Sequence, residues 1–373
     1  MTKILLTGGG TGGHVFPLIA IAQEIRKKQI VVSFAYMGPE DFTCSTFMPK
    51  EGIRLNYISS GKIRRYFSAG AFFSNVADVI FKIPFGILQA FWIMFFTAPD
   101  VIISKGGYGS IPAVIAGWML RIPIFLHESD SIPGLANKIS SKFCEKVFVS
   151  FPMADTEYFP KHKMIETGNP IRSELIEGTK DYARKAFDLV NDKPIVLILG
   201  GSQGSERIND IMIDVLSDAL KEFEIIHQTG KDGFRRVHNE ASATIPPELL
   251  KYYHPYFFLD NRELAGAYAA ADCIVARSGA GTIFEIAAVK KPSILIPLPE
   301  AAQNHQVKNA YAYANSGASL VIEEGNLTHH FFLEQIRLIF QDDTAEKMIR
   351  AAELFSKPYA GSVIARYILD YLS

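Results

Sequence analysis

Ile4-Leu5-Leu6-Thr7-Gly8-Gly9-Gly10-Thr11-Gly12-Gly13-His14 is a short apolar run that ends in glycines, and Leu18, Ile21, Ala22 and Ile25 follow it at helical spacing. A brief apolar run bounded by turn residues reads as a buried strand, and the spacing after it as the inner face of a helix. The same unit recurs. Pro194 precedes Ile195-Val196-Leu197-Ile198-Leu199, which runs into Gly200-Gly201-Ser202-Gln203-Gly204 and then a helix through Ile211 and Leu216. The two units begin at residues 4 and 195 of a 373-residue chain, about half its length apart. Further strand-like runs fall at 31–36, 101–104, 124–127 and 146–150, and again at 224–228, 256–259, 273–276, 293–297 and 319–322. Strands that alternate with helical stretches predict an α/β fold with parallel sheets covered on both faces. Two Rossmann-like domains are expected, with the linker at Thr167-Gly168-Asn169-Pro170.

Charge supports the division. Lys plus Arg is 38 and Asp plus Glu is 39, a net charge of −1, which excludes a uniformly basic nucleic-acid binder and a disordered acidic chain. Residues 1–170 carry 17 basic and 12 acidic side chains, a net of +5, whereas 171–373 carry 21 and 27, a net of −6. The sign changes at the expected linker. Cys44, Cys144 and Cys273 stand in no metal-ligand spacing and fit a reducing compartment. Strand-like residues begin at Lys3, which leaves no room for a signal peptide and sets the expectation of a protein that stays inside the cell.

Residues 83–99 are uncharged, but these 17 residues fall short of a spanning helix, and Pro84, Gly86, Gln89 and Pro99 interrupt them. One or two membrane-touching or core helices are expected there. Ten aromatic residues lie between 66 and 96, behind Lys62, Arg64 and Arg65. Basic residues beside aromatics suit an anionic bilayer surface; a helix buried between sheet and neighbours is the alternative.

Four loops carry candidate chemistry. Gly8, Gly10 and Gly13 satisfy G-x-G-x-x-G, which admits a phosphate-bearing ligand or a tight turn without one. His14 opens the following helix, where an imidazole can act as a general base or simply orient the loop. Lys105-Gly106-Gly107-Tyr108-Gly109-Ser110 and His127-Glu128-Ser129-Asp130 each follow a strand, at the edge where open α/β sheets bind ligands. In the second half, Gly201-Ser202-Gln203-Gly204 and Arg277-Ser278-Gly279-Ala280-Gly281-Thr282 both open helices. Two anion-suited helix N-termini in one domain fit a diphosphate. Glu285, one turn into the second of these helices, can hold two sugar hydroxyls; Gln303 and Gln306 are sugar-binding candidates or ordinary surface residues.

The ordered set Thr7 to Pro17, His127-Glu128, Gly134-Leu135-Ala136-Asn137-Lys138, Thr167 to Arg172, Gly200 to Gly204 and Arg277-Ser278-Gly279-Ala280 with Glu285 resembles the MurG family. These are cell-wall N-acetylglucosaminyltransferases of glycosyltransferase family 28, and the likeness runs from about residue 3 to about residue 325. The resemblance implies a GT-B fold of two Rossmann-like domains around a central cleft. Residues 1–170 would form the acceptor- and membrane-facing domain, with 357–373 packing back on it. Residues 171–356 would bind UDP-N-acetylglucosamine (UDP-GlcNAc).

By position, Ser202, Gln203, Gly204, Ala280, Gly281 and Thr282 would meet the diphosphate, Glu285 the ribose, Gln306 and Gln303 the N-acetylglucosamine, and Leu259 the uracil. Arg172 would contact the donor near the hinge. Thr11, Gly12 and Gly13 would face the acceptor diphosphate and donor sugar beside His14. Asp130 departs from the asparagine common in the family and is expected near the donor sugar.

The implied reaction is inverting transfer of N-acetylglucosamine to the muramyl 4-hydroxyl of lipid I, giving lipid II. His14 is the expected base, with Glu128 and Asp130 behind it. No D-x-D sequence appears, so neither a metal nor a cofactor is expected. The implied partners are UDP-GlcNAc, lipid I, an anionic membrane reached through residues 62–96, and wall-synthesis or division proteins, with no nucleic acid. The implied location is peripheral, on the cytoplasmic face of the membrane. The alternative is another GT-B enzyme, either a glycolipid glycosyltransferase or a UDP-GlcNAc 2-epimerase.

Overall fold

The structure is a computed structural model that describes residues 1–9, 12–28, 31–61, 78–152, 157–190, 192–201, 204–301 and 304–373. Thr11, Ser202, Gln203, Gln303 and the basic and aromatic residues between 62 and 77 lie outside the described residues. The chain divides into two compact units, Met1–Ile171 with Tyr359–Ser373, and Arg172–Pro358.

The first unit holds a seven-stranded sheet of β1 (Thr2–Thr7), β2 (Val32–Gly38), β3 (Arg54–Tyr57), β4 (Val101–Ser104), β5 (Ile124–Glu128), β6 (Lys146–Val149) and β7 (Met164–Glu166), in the order β3-β2-β1-β4-β5-β6-β7. Every pairing is parallel. Side chains alternate across a strand, so Ile4 and Leu6 bury on one face and Leu5 on the other. The first face is covered by the helix Gly12–Lys27, through Leu18, Ile21 and Ile25, and by the last helix, Ala360–Leu372, through Ile364, Ala365 and Ile368. The second face takes Ala90 and Met94 of the helix Ile83–Thr97, and Ala113, Val114 and Ala116 of Ile111–Met119.

The second unit repeats the plan with six strands: β8 (Ile195–Leu199), β9 (Glu224–Gln228), β10 (Tyr253–Tyr256), β11 (Cys273–Ala276), β12 (Ser293–Leu295) and β13 (Ser319–Val321). Their order, β10-β9-β8-β11-β12-β13, is again wholly parallel. In both units the strand order reverses beside the first strand, which is the doubly wound topology.

The expected strand at 256–259 is a correction. The strand is Tyr253–Tyr256, and Phe257 and Phe258 are exposed in the loop after it. Apolar composition pointed to the loop, whereas the strand carries His254 and Pro255, which a sheet edge tolerates.

Residues 83–99 form one helix, Ile83–Thr97, entered through a π-helical turn at Asp78–Lys82. Pro84 sits in its first turn, where no helical hydrogen bond is lost, and Pro99 lies past its end. The run Asp78–Thr97 is long and apolar enough to cross a membrane by length and composition. Only Gly86, Ala90 and Met94 of the helix are fully buried, while Phe85, Leu88, Trp92, Phe95 and Phe96 are exposed.

Candidate active site

In the first unit the site gathers where β1 and β4 lie side by side at the sheet's C-terminal edge. The residue after β4, Lys105, donates its backbone N–H to Thr7 O at 2.8 Å, which draws the two glycine loops together. His14, in the first turn of its helix, lies between them. A Cβ on Gly9 would stand 3.3 Å from its Nδ1, and a Cβ on Gly107 would stand 2.9 Å from its Nε2. Gly107 also has φ +78°, so glycine is required there on both counts. Gly12 and Gly13 share this first turn, with Gly13 exposed. His14 is half-buried and Asp130 is half-buried.

Glu128 ends β5 and is 2% exposed. Its Oε1 accepts the Asp130 N–H at 2.9 Å and its Oε2 accepts Asn137 Nδ2 at 2.7 Å. Burial, and then the nearby Asp130 carboxylate, push its pKa up to about 7. Lys105 is equally buried, bonds Ser129 Oγ, and has its pKa lowered to about 8 by burial, against the pull of Glu128 and Asp130. His127 is fully buried, with Nε2 3.2 Å from Gly168 O and 3.3 Å from Ser150 Oγ. Since Ser150 Oγ donates to Glu128 O at 3.0 Å, Nε2 carries the proton. Burial and then the Lys105 charge hold this imidazole well below its ordinary pKa, as a neutral strut.

The expectation for Glu128 is a place in the catalytic set, behind His14. A carboxylate that takes a proton from a substrate hydroxyl must reach it, and Glu128 is enclosed with both oxygens already accepting. Its place is beneath Asp130, which it orients.

In the second unit the equivalent edge lies between β8 and β11. Ser205 caps the helix Glu206–Glu222 by accepting the Ile208 N–H, and Arg277 Nη2 donates to the same hydroxyl at 2.6 Å. Arg277 also donates to Ile296 O at 3.1 Å and pairs with Glu324, so it locks the loop that contains Gly204. Gly204 has φ +82°, and a Cβ there would meet Thr229 O at 2.4 Å.

Ala280, Gly281 and Thr282 are the first residues of the helix Ala280–Ala288, whose free N–H groups point out past Gly279. A Cβ on Gly279 would have nothing within 4 Å, so this helix end is open. Glu285 Oε1 takes Arg172 Nη2 at 3.4 Å, and Oε2 accepts Tyr268 Oη at 3.0 Å. Arg172 bonds Asn261 Oδ1 as well, at 2.5 Å. Burial, and then Glu285, hold the Tyr268 phenol well above its ordinary pKa, so it stays a donor.

Two other expected donor-site residues have local partners. Leu259 is 2% exposed and its N–H donates to Gln228 Oε1 at 3.0 Å, so Phe257 and Phe258, not Leu259, are the side chains this loop offers to solvent. Gln306 Oε1 accepts the Leu298 N–H at 3.1 Å, and its carbonyl accepts Ser278 Oγ at 2.8 Å, which ties it to the β11 loop. The orienting roles of Asn137, Arg277, Tyr268 and Asn261 leave no trace in spacing, because each acts through a partner far away in sequence. Among the described residues, no group of three or more His, Cys, Asp or Glu side chains is placed to hold a metal ion.

Residues 4–149 match the glycosyltransferase family 28 N-terminal domain, and residues 195–361 match the glycosyltransferase family 28 C-terminal domain. A UDP-N-acetylglucosamine–N-acetylmuramyl-(pentapeptide) pyrophosphoryl-undecaprenol N-acetylglucosamine transferase of Clostridium tetani (strain Massachusetts / E88) is 37% identical over 349 residues, covering 93% of this chain and 92% of its own. The crystal structure of Acinetobacter baumannii MurG is similar at a TM-score of 0.75 and 23% identity, over 99% of this chain and 100% of that one. UDP-GlcNAc 2-epimerase from Neisseria meningitidis is similar at 0.66 and 13% identity, over 99% and 100%. The GT-B fold is thus shared with enzymes of different chemistry, and sequence decides between them. With both halves matched in order and a transferase 37% identical along nearly its whole length, the chain belongs to the MurG family within glycosyltransferase family 28.

Proposed function

We infer that this protein transfers N-acetylglucosamine from UDP-GlcNAc to the muramyl 4-hydroxyl of lipid I, forming lipid II. The observation that carries this reading is the 37% identity to a transferase of that activity over 93% of the chain. The second unit binds the donor. The N-termini of the helices Glu206–Glu222 and Ala280–Ala288 receive the diphosphate. Glu285, aimed by Arg172 and Tyr268, takes the ribose hydroxyls.

The first unit binds the acceptor. His14 removes the proton of the 4-hydroxyl as that oxygen attacks the anomeric carbon. The bond from that carbon to the UDP oxygen breaks, and UDP leaves with the electron pair. The α-linkage becomes β. Backbone dipoles and Arg172 stabilise the leaving diphosphate, with no metal ion assigned to the step.

UDP release from UDP-GlcNAc, measured with and without a lipid I analogue, tests this. Release is expected only with the acceptor. Acceptor-independent turnover would instead indicate an epimerase-like reaction.

The protein works from the cytoplasmic face of the membrane, as a peripheral protein. The helix Ile83–Thr97 rests in the bilayer surface through Phe85, Trp92, Phe95 and Phe96, extended by Trp118 and Met119 of the neighbouring helix. Lys82 pairs with Asp78 at 2.6 Å at the head of this face. Aromatic side chains give up on the order of 1.5–3 kcal/mol each on full burial. Replacing Trp92 and Phe96 together by serine should therefore lower retention on anionic vesicles by roughly tenfold or more. Unchanged retention in a vesicle sedimentation assay would remove this helix as the anchor.

A further inference from the structure

The two sheets share a feature at the point where their strand order reverses. Thr7 stands opposite Ser104 in the first, and Leu199 opposite Ala276 in the second. In each unit the next residue is a cation drawn inside: Lys105, 2% exposed, and Arg277, whose side chain is 11% exposed. Each also returns its backbone N–H to the first strand, Lys105 to Thr7 O and Arg277 to Leu199 O. Arg277 spends its guanidinium on Ser205, Ile296 O and Glu324, and so locks a loop.

Lys105 faces a different environment. Its ammonium bonds Ser129 Oγ and acts through space on Glu128 and Asp130. The backbone N–H of Asp130 donates to Glu128 Oε1 at 2.9 Å, which holds the two residues in one turn. Glu128 is otherwise held by the uncharged amide of Asn137. Two neighbouring carboxylates, one of them buried, resist being charged together unless a cation accompanies them.

We propose that Lys105 is a positioning residue for the transferase reaction inferred above: its buried ammonium pins Ser129 and balances Glu128 and Asp130, so that two carboxylates can share the turn at the end of β5. This rests on the functional reading for its effect on turnover, but not for its electrostatics.

Among the described residues, His127, His14 and Asn137 also stand at the cluster. His127 lies on the same strand and is kept neutral partly by Lys105. His14 approaches from the helix Gly12–Lys27 against Gly107, and Asn137 from Leu135–Ser140 is uncharged.

The sign of each contribution to stability is set by linkage. Glu128 titrates near 7 when folded against an ordinary 4.5, so its contribution is full below 4.5 and lost as pH rises through 7. Lys105 titrates near 8 when folded against 10.5, so the unfolded chain binds the extra proton and stability is regained as pH climbs from 8 to 10.5.

The experiment uses the full chain as wild type, Lys105→Met, Asp130→Asn and the double variant. Thermal midpoints are measured from about pH 4 to 11, beside the pH profile of kcat/KM for acceptor-dependent UDP release. The midpoint of wild type relative to that of Lys105→Met is expected to rise as pH climbs from 8 to 10.5. Lys105→Met should also move the acid limb of kcat/KM up by about one pH unit and lower kcat roughly tenfold. Adding Asp130→Asn should return the limb toward wild type and restore part of the turnover.

A Lys105→Met protein with wild-type midpoints and limb overturns the proposal. So does a loss of kcat with no shift of the limb and no relief from Asp130→Asn. If Lys105→Met does not fold, Asp130→Asn alone decides: it removes a charge that holds the Lys105 proton, so its midpoint relative to wild type must rise as pH climbs toward 8, and a difference that does not vary with pH overturns the assignment. If wild type releases no UDP, the transferase reading fails while the midpoints still test Lys105.

Discussion

Replacing His14 by alanine lowers turnover by about 10²- to 10⁴-fold, the range for loss of a positioned general base, and leaves binding of UDP-GlcNAc unchanged. The separation is expected because His14 belongs to the first unit, whereas Glu285 and the helices proposed to hold the donor belong to the second. His14 has the right placement for the role. It is half-buried, its ring rests on Gly9 and Gly107, and it stands at the C-terminal edge where β1 and β4 lie side by side. Single-turnover measurement with a lipid I analogue, beside calorimetric titration with UDP-GlcNAc, checks both halves of the expectation. If His14→Ala turns over at nearly the wild-type rate while Asp130→Ala is inactive, the base is Asp130.

Glu285→Ala raises KM for UDP-GlcNAc by roughly 10- to 100-fold, the equivalent of about 1.5–3 kcal/mol for hydrogen bonds to a charged group. The side chain does two jobs. It presents a carboxylate one turn into the helix Ala280–Ala288, and it holds Arg172 and the Tyr268 hydroxyl in place. Alanine removes the carboxylate and strands both partners, so the thermal midpoint should fall too. Glu285→Gln keeps an acceptor for Tyr268 and should recover most of the midpoint but less of the affinity. UDP-GlcNAc binding measured beside thermal melts separates the two effects, and an unaltered KM in Glu285→Ala would remove this residue from the donor site.

Much of the fold was legible because buried parallel strands announce themselves. Val101–Ser104, Ile195–Leu199, Glu224–Gln228 and Cys273–Ala276 have the bounds that their apolar runs suggest. The strands that left no signal are at edges. Arg54-Leu55-Asn56-Tyr57 and Met164-Ile165-Glu166 are short and half-exposed, so selection for apolar side chains is weak there. The displaced β10 has the same origin, since its exposed neighbours Phe257 and Phe258 are more apolar than the strand itself.

At the site, glycines and helix starts were readable because they follow strands. Accessibility was not: nothing in His127-Glu128-Ser129-Asp130 distinguishes the enclosed Glu128 from the half-buried Asp130. That difference is made by Asn137 and Lys105, which reach the turn from other elements.

The helix Ala360–Leu372 contributes Ile364, Ala365 and Ile368 to the same core as Leu18, Ile21 and Ile25 of the first helix. During synthesis, therefore, the unit that is begun first is completed only after the last residue of the second unit has been made. By the time the ribosome has made Pro358, every residue of the second unit exists, while the first still lacks a wall of its core. Until Ile364, Ala365 and Ile368 join it, the first unit leaves the apolar face of its first helix uncovered on that side. Loss of Ala360–Leu372 is consequently a defect of the amino-terminal unit, although the lesion lies beyond the whole of the second.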